Sequence, residues 1–178
     1  MKWTTLLSTE RLTLRKMELA DAAMLFQIWS NPEVTKFMNI DHFTDQTEAR
    51  DMIVLLNNLA EEHKAIRYSI IETESNDIIG SCGFNSLDLD HAKAEIGYDF
   101  HFDYWGKGYA PEAISCLIDN AFHHLKLHRL EAKVQPENIN SAKVLKKLKF
   151  TFEGTLRESE KSKGKWIDLD LYSLLVSD

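Results

Sequence analysis

Apolar and polar residues alternate at period two through Arg11, Leu12, Thr13, Leu14 and Arg15, which predicts a strand with one buried face. Residues 18–30 change to a helical rhythm, with Leu19, Ala22, Ala23, Phe26 and Trp29 on one side and Asn31 and Pro32 expected to stop the helix. A second helix is expected over about 45–62, with Thr44 as candidate cap and Met52, Ile53, Leu55, Leu56 and Leu59 facing inward. The segments 68–71 and 78–84 are short and β-rich around a polar turn, which predicts a hairpin. A further strand, 94–102, runs into Trp105, Gly106, Lys107, Gly108, Tyr109 and Ala110. From there Ala110, Ala113, Ile114, Leu117, Ile118, Ala121, Phe122 and Leu125 keep helical spacing through four turns, with Pro111 in the first turn where a missing N–H costs nothing. Next come a strand at 129–134, a turn at 135–137 and a lysine-faced helix at about 138–148. Two strands follow, near 150–158 and 165–175, joined by a polar loop at 160–164.

The order of elements predicts a mixed α/β protein, and 178 residues without repeats or an interdomain linker predict a single domain over 1–178. With 44% hydrophobic and 28% charged residues the chain reads as globular. It lacks a run of the roughly 20 apolar residues needed to span a bilayer, and residues 1–5 lack the h-region of an export signal. No membrane partner and a cytoplasmic location are the expectations. A net charge of −7 argues against nucleic acid and suits a cationic substrate such as an amine. Cys82 and Cys116 lie in apolar segments without ligand spacing and read as buried thiols; His123, His124 and His128 lack the pattern of a zinc site, so no metal is expected.

The glycine-containing turn carries the chemistry. The first N–H groups of a helix have no internal partner and sit at the positive end of its dipole, and glycine lets a phosphate approach the backbone. Amides from about Gly106 to Ala110 are therefore placed to wrap a pyrophosphate. A Walker loop would need Gly-x-x-x-x-Gly-Lys-Ser/Thr, and a dinucleotide fingerprint a third glycine where Pro111 stands. A turn that merely reverses the chain is the other reading.

The wider order of residues resembles the Gcn5-related N-acetyltransferases (GNAT). The segment 95–125 is similar to that family's coenzyme-binding motif, with Trp105 where Arg or Gln is usual. Residues 138–150 look like its later Asn-x-x-Ser…Leu-Gly-Phe segment, with Lys149 in place of the glycine. Leu12 to Arg15, Trp29 to Pro32 and 168–174 resemble the RimJ/RimL branch, whose members acetylate N-terminal amines of ribosomal proteins. The resemblance implies a mostly antiparallel sheet of about seven strands flanked by about four helices, with a splayed parallel pair forming the cleft for acetyl-coenzyme A.

It also implies direct transfer to an amine. Glu95 is the candidate base, or else a solvent-facing strand residue. Ser141 is the candidate donor to the leaving thiolate, or else a helix cap. Asn138 either meets the pantetheine arm or caps the same helix. Phe100, His101 and Phe102 are expected to lend backbone groups to the pantetheine amides; Trp105, Gly106, Lys107, Gly108, Tyr109 and Ala110 are expected to hold the pyrophosphate. Tyr104, Tyr109 and Tyr172 are further acid candidates. Lys143, Lys146, Lys147 and Lys149 read either as partners of a 3′-phosphate or as a solvated face. The expected acceptor is a protein N-terminus, with a small amine such as a polyamine or aminoglycoside, or a regulator that binds the coenzyme without catalysis, as alternatives; a monomer or a homodimer is expected.

Overall fold

The computed structural model describes residues 3–178. One sheet holds β1 (Leu6–Ser8), β2 (Leu12–Lys16), β3 (Ile66–Glu72), β4 (Ile78–Asp88), β5 (Lys93–Phe100), β6 (Arg129–Val134), β7 (Thr151–Ser162) and β8 (Lys165–Leu175), in the order β1-β2-β3-β4-β5-β6-β8-β7. The helices are α1 (Ala22–Trp29), α2 (Pro32–Thr35), α3 (Gln46–Glu61), α4 (Tyr109–Asp119) and α5 (Ile139–Lys147). Every neighbouring strand pair is antiparallel except β5 with β6. The mixed sheet with one parallel pair is the expected architecture. The extra strand is β1, three residues too short to show a period, and the extra helix is α2.

The parallel pair makes the cleft. β5 and β6 stay in register only from Lys93↔Arg129 to Glu95↔Glu131. Beyond that point β5 continues on β4 to Phe100 and β6 continues on β8 to Val134, each satisfying its backbone on the outer side. Two hydrophobic clusters hold this arrangement. One joins the sheet to α4 through Ala113, Ile114, Leu117 and Ala121; the other packs Leu25, Ile28 and Trp29 of α1 against Ala49 and Ile53 of α3.

Several boundaries differ from the sequence reading for local reasons. Residues 18–30 are a 3₁₀ turn, Leu19–Asp21, followed by α1, and Pro32 starts α2 instead of only ending α1, because Asn31 caps it by accepting from the Glu33 N–H at 2.9 Å. Asp45, not Thr44, caps α3: its carboxylate accepts from the Thr47 N–H at 2.7 Å while Glu48 reaches back to the Asp45 N–H at 3.0 Å. β5 stops at Phe100 instead of 102, since the chain coils into a 3₁₀ turn over Phe102–Tyr104. The helix expected over 110–125 begins at Tyr109 and, after Asp119, widens into a π turn over Asn120–His124. The polar loop at 160–164 shrinks to a two-residue turn, because β7 and β8 stay paired out to Ser162↔Lys165.

Candidate active site

The mouth of α4 is built from backbone. Gly106 and Gly108 have φ of 73° and 83°, a left-handed conformation that favours glycine, and a Cβ on Gly106 would meet nothing within 4 Å. Among the described residues the N–H groups of Gly108, Tyr109 and Ala110 donate to no protein acceptor. The turn therefore offers free donors, a helix dipole and open space to an anion, which is what a pyrophosphate needs.

Arg11, read from the sequence only as a strand residue, holds this turn. Its guanidinium donates to the Lys107 carbonyl at 3.1 Å, lies 4.3 Å over the Tyr109 ring, and pairs with Glu112 at 2.7 Å. Burial works against the Glu112 charge, but hydrogen bonds from Thr9, from the Arg11 amide and from its guanidinium hold the carboxyl below the usual range. Tyr109, buried, donates to Glu72.

Past the turn, the floor of the cleft is a chain of side chains. Lys133 Nζ on β6 lies 2.7 Å from Glu95 Oε2 on β5, and Asn85 Nδ2 donates to Glu95 Oε1 at 3.3 Å. Asn85 Oδ1 in turn accepts from Arg67 at 2.9 Å, and the same guanidinium pairs with Asp99 at 2.6 Å. Ser81 and the Trp29 indole also donate to Asp99, at 2.6 and 3.2 Å. Gly97 makes this possible: a Cβ there would fall 2.5 Å from the Asn85 amide. Lys133 has its pKa raised by the hydrogen bond it donates to Glu95, against the effect of its own burial.

On the other wall, the Ser141 Oγ is 2.8 Å from the Tyr98 hydroxyl, a contact the sequence reading lacked. Asn138 caps α5 by accepting from the Ser141 N–H at 3.2 Å, so the capping role belongs to Asn138 and leaves the Ser141 hydroxyl to Tyr98. Burial pushes the Tyr98 phenol up to about 12, so it stays protonated and can only hold or pass a proton at the serine.

These groups share one cleft of about 910 Å³, which joins the turn at Gly106, Gly108, Tyr109 and Ala110 to Glu95, Asn138 and Ser141. Phe100, Trp105, Tyr104, Lys143 and Lys147 also line it. His101, Phe102, Lys107, Lys146, Lys149 and Tyr172 do not. Two of the backbone groups expected at the strand end are engaged within the protein: the His101 N–H donates to Ile79 O at 2.8 Å, and the Phe100 carbonyl accepts from the Trp105 indole at 2.8 Å. Tyr172 instead packs on Phe152. Cys82 is fully buried and its thiol is pushed up by burial; Cys116 is half-buried and shifted the same way. The missed residues were Arg11, Asn85, Arg67, Asp99, Lys133 and Tyr98. Their signal lay in pairing across strands, which a single sequence does not display.

Among the described residues no helix is long and apolar enough to cross a membrane. The model of the acetyltransferase (GNAT) domain matches residues 11–151. The chain is 56% identical to an N-acetyltransferase, p20, of Bacillus licheniformis over 95% of each chain, and 34% identical to the N-acetyltransferase YoaA of Bacillus subtilis over 96% of each. Among solved structures it is similar to a GNAT-family acetyltransferase from Bacillus anthracis, at 28% identity and a TM-score of 0.86, covering 97% of this chain and 99% of that one. The fold is shared with RimL bound to coenzyme A, at a TM-score of 0.85. With the glycine turn, the splayed strands and these relatives together, the chain belongs to the GNAT family and is an acetyl-coenzyme A-dependent acyltransferase.

Proposed function

We propose that the protein acetylates the N-terminal α-amine of a protein in the cytoplasm, with the turn at 106–110 holding the coenzyme pyrophosphate, Glu95 taking the proton from the acceptor and Ser141 donating to the departing thiolate. The observation that carries this reading is the single cleft in which the turn, Ser141 and Glu95 meet across the splay. Acetyl-coenzyme A supplies the acyl group as an activated thioester. Gly106 to Ala110 bind its phosphates through backbone donors. Tyr98 orients the Ser141 hydroxyl, and the carboxylate of Glu95 accepts the proton that must leave an ammonium before its nitrogen can attack.

An α-amine suits this site because its pKa of about 8 leaves about a tenth of it neutral near pH 7, against about a thousandth for an alkylamine of pKa about 10. Glu95 then has less work to do. The chain is also 27% identical, over 58% of its length, to the ribosomal-protein-serine acetyltransferase of Escherichia coli. A polyamine is the second reading. Glu33 and Glu160 line the cleft, Glu33 without an ion pair among the described residues, and the chain is 25% identical to the spermidine N(1)-acetyltransferase of Vibrio cholerae over 94% of each chain.

A screen of coenzyme thiol release against peptides with free N-termini, polyamines and aminoglycosides decides between them. Release driven best by peptides is expected. Release with spermidine alone transfers the assignment to the polyamine, and silence across all three classes removes the catalytic reading of the site.

A further inference from the structure

Lys133 lies on β6 two residues past the last β5–β6 pair, on the same face as Glu131. Its ammonium is bonded to the carboxylate that, on the reading above, receives the acceptor. What a primary ammonium would do at Glu95 is thus already done by a primary ammonium of the chain. The position of the pair adds a second observation. Glu95 and Lys133 are the residues that line both the cleft and a smaller hollow of about 260 Å³ behind it, whose other walls include Asp88, Lys93 and Glu131.

We propose that Lys133 is an internal stand-in for the acceptor: it occupies Glu95 while the cleft is empty and retracts toward Glu131 in the rear hollow when an acceptor ammonium takes its place. Three features make the exchange feasible. The pair is partly open to solvent, with side-chain exposures of 36% and 20%, so it is weakly held; the Arg67–Asp99 pair beside it, at 12% and 2%, is locked. Lysine has a flexible four-carbon stem, which lets its charge move while its strand stays fixed. Glu131 lines the same hollow as Lys133 and accepts from Arg129 through Oε1 at 2.8 Å, which leaves its second oxygen to receive the ammonium, so the charge passes from one carboxylate to another and is not stranded. Two cations on one carboxylate repel at contact distance, which makes the exchange competitive and turns Lys133 into a threshold that weak acceptors fail to cross. The inference rests on Glu95 as the acceptor's partner.

The test measures binding, so that it does not depend on turnover. n-Butylammonium is titrated into the coenzyme A complex at pH 7 and binding is followed by calorimetry, with the Glu95 carboxyl carbon followed by NMR in the chains that keep it. Lys133→Met should bind the probe at least about fivefold tighter than the parent chain, Lys133→Arg should match the parent, and Lys133→Met with Glu95→Gln should lose the gain. Equal affinity in Lys133→Met and parent overturns the stand-in, as does a gain that survives Glu95→Gln. Thiol release is recorded on parallel samples that hold acetyl-coenzyme A and a peptide acceptor: a binding gain in Lys133→Met, together with release by Glu95→Gln as fast as by the parent chain, keeps the stand-in and removes Glu95 from catalysis, so the two ideas fail separately.

Discussion

Around Gly106 and Gly108 the cleft presents backbone N–H groups at the mouth of α4, whereas around Glu95 and Asp99 it presents side chains bonded to one another. The first construction depends on φ angles and open space, and tolerates many side chains. Trp105 can therefore stand where the family usually has Arg or Gln. The second depends on each partner in turn, from Lys133 through Glu95, Asn85 and Arg67 to Asp99, and a change at one member leaves the next without its bond. One half of the site is specified by conformation and the other by complementarity.

The sharpest way to break the donor half alone is Gly108→Glu, which puts a negative side chain among the anion donors at a φ of 83°. Acetyl-coenzyme A binding should fall by more than about 100-fold in calorimetry, since up to several charge-assisted bonds are lost, while the melting curve stays cooperative. Next, Glu95→Gln should lower kcat/KM by about 100-fold near pH 7 with coenzyme affinity unchanged. The deficit should shrink as pH rises toward the acceptor's own pKa, where free amine no longer needs a base; an equal loss at every pH would leave Glu95 a positioning role only.

Arg67→Ala tests whether the acceptor half stands on its network. It takes the cation from Asp99, 2% exposed, leaving Ser81 and Trp29 as its donors, and should cost about 3 kcal/mol in chemical denaturation. Acceptor KM should rise about tenfold with coenzyme affinity within about twofold, an asymmetry that a general loosening of the fold would not produce. The smallest effect lies behind both halves. Hydrogen bonds from Arg129 and Ser173 hold the Glu153 carboxyl at about 2, below its ordinary 4.5. A depressed carboxyl stabilises the fold above 4.5, and that contribution is lost as pH falls through about 2. The pair is partly exposed and screened, so the melting temperature should drop by only about 2 °C more in the parent than in Arg129→Met over that interval.

The contrast between the halves also explains what the sequence disclosed. The helix over Tyr109–Asp119 and the glycines before it are local, carried by period, proline placement and two residues with free φ, so the turn could be read directly, while its assignment to the coenzyme came from the family resemblance. Glu95 and Ser141 were named through family resemblance. Nothing local in the chain announces that Asn85 bonds Glu95 across ten residues, that Tyr98 reaches Ser141 across 43, or that Arg11 holds a turn 96 residues away. Those contacts follow from strand register, and register follows from the whole sheet. Short elements failed for a related reason: β1 and α2 are too brief for a period, and Pro32 reads equally as an end or a beginning.

The position of β8 gives the cleft a history. Residues 165–175 lie between β6 and β7, so β7 has no neighbour, and β6 no partner on its far side, until the ribosome has made that strand and the exit tunnel has released it. The hairpin then returns Lys163 to the carbonyls of Thr35 and Lys36, 128 and 127 residues upstream, and closes a long loop of the 178-residue chain. β7 and β8 can pair at once through their two-residue turn, whereas their docking on β6 and on Thr35 joins segments far apart in the chain and comes last. During synthesis the turn at 106–110 and α4 emerge well before that docking, and a chain halted before residue 165 would carry the donor turn and Glu95 with β6 open on its far side.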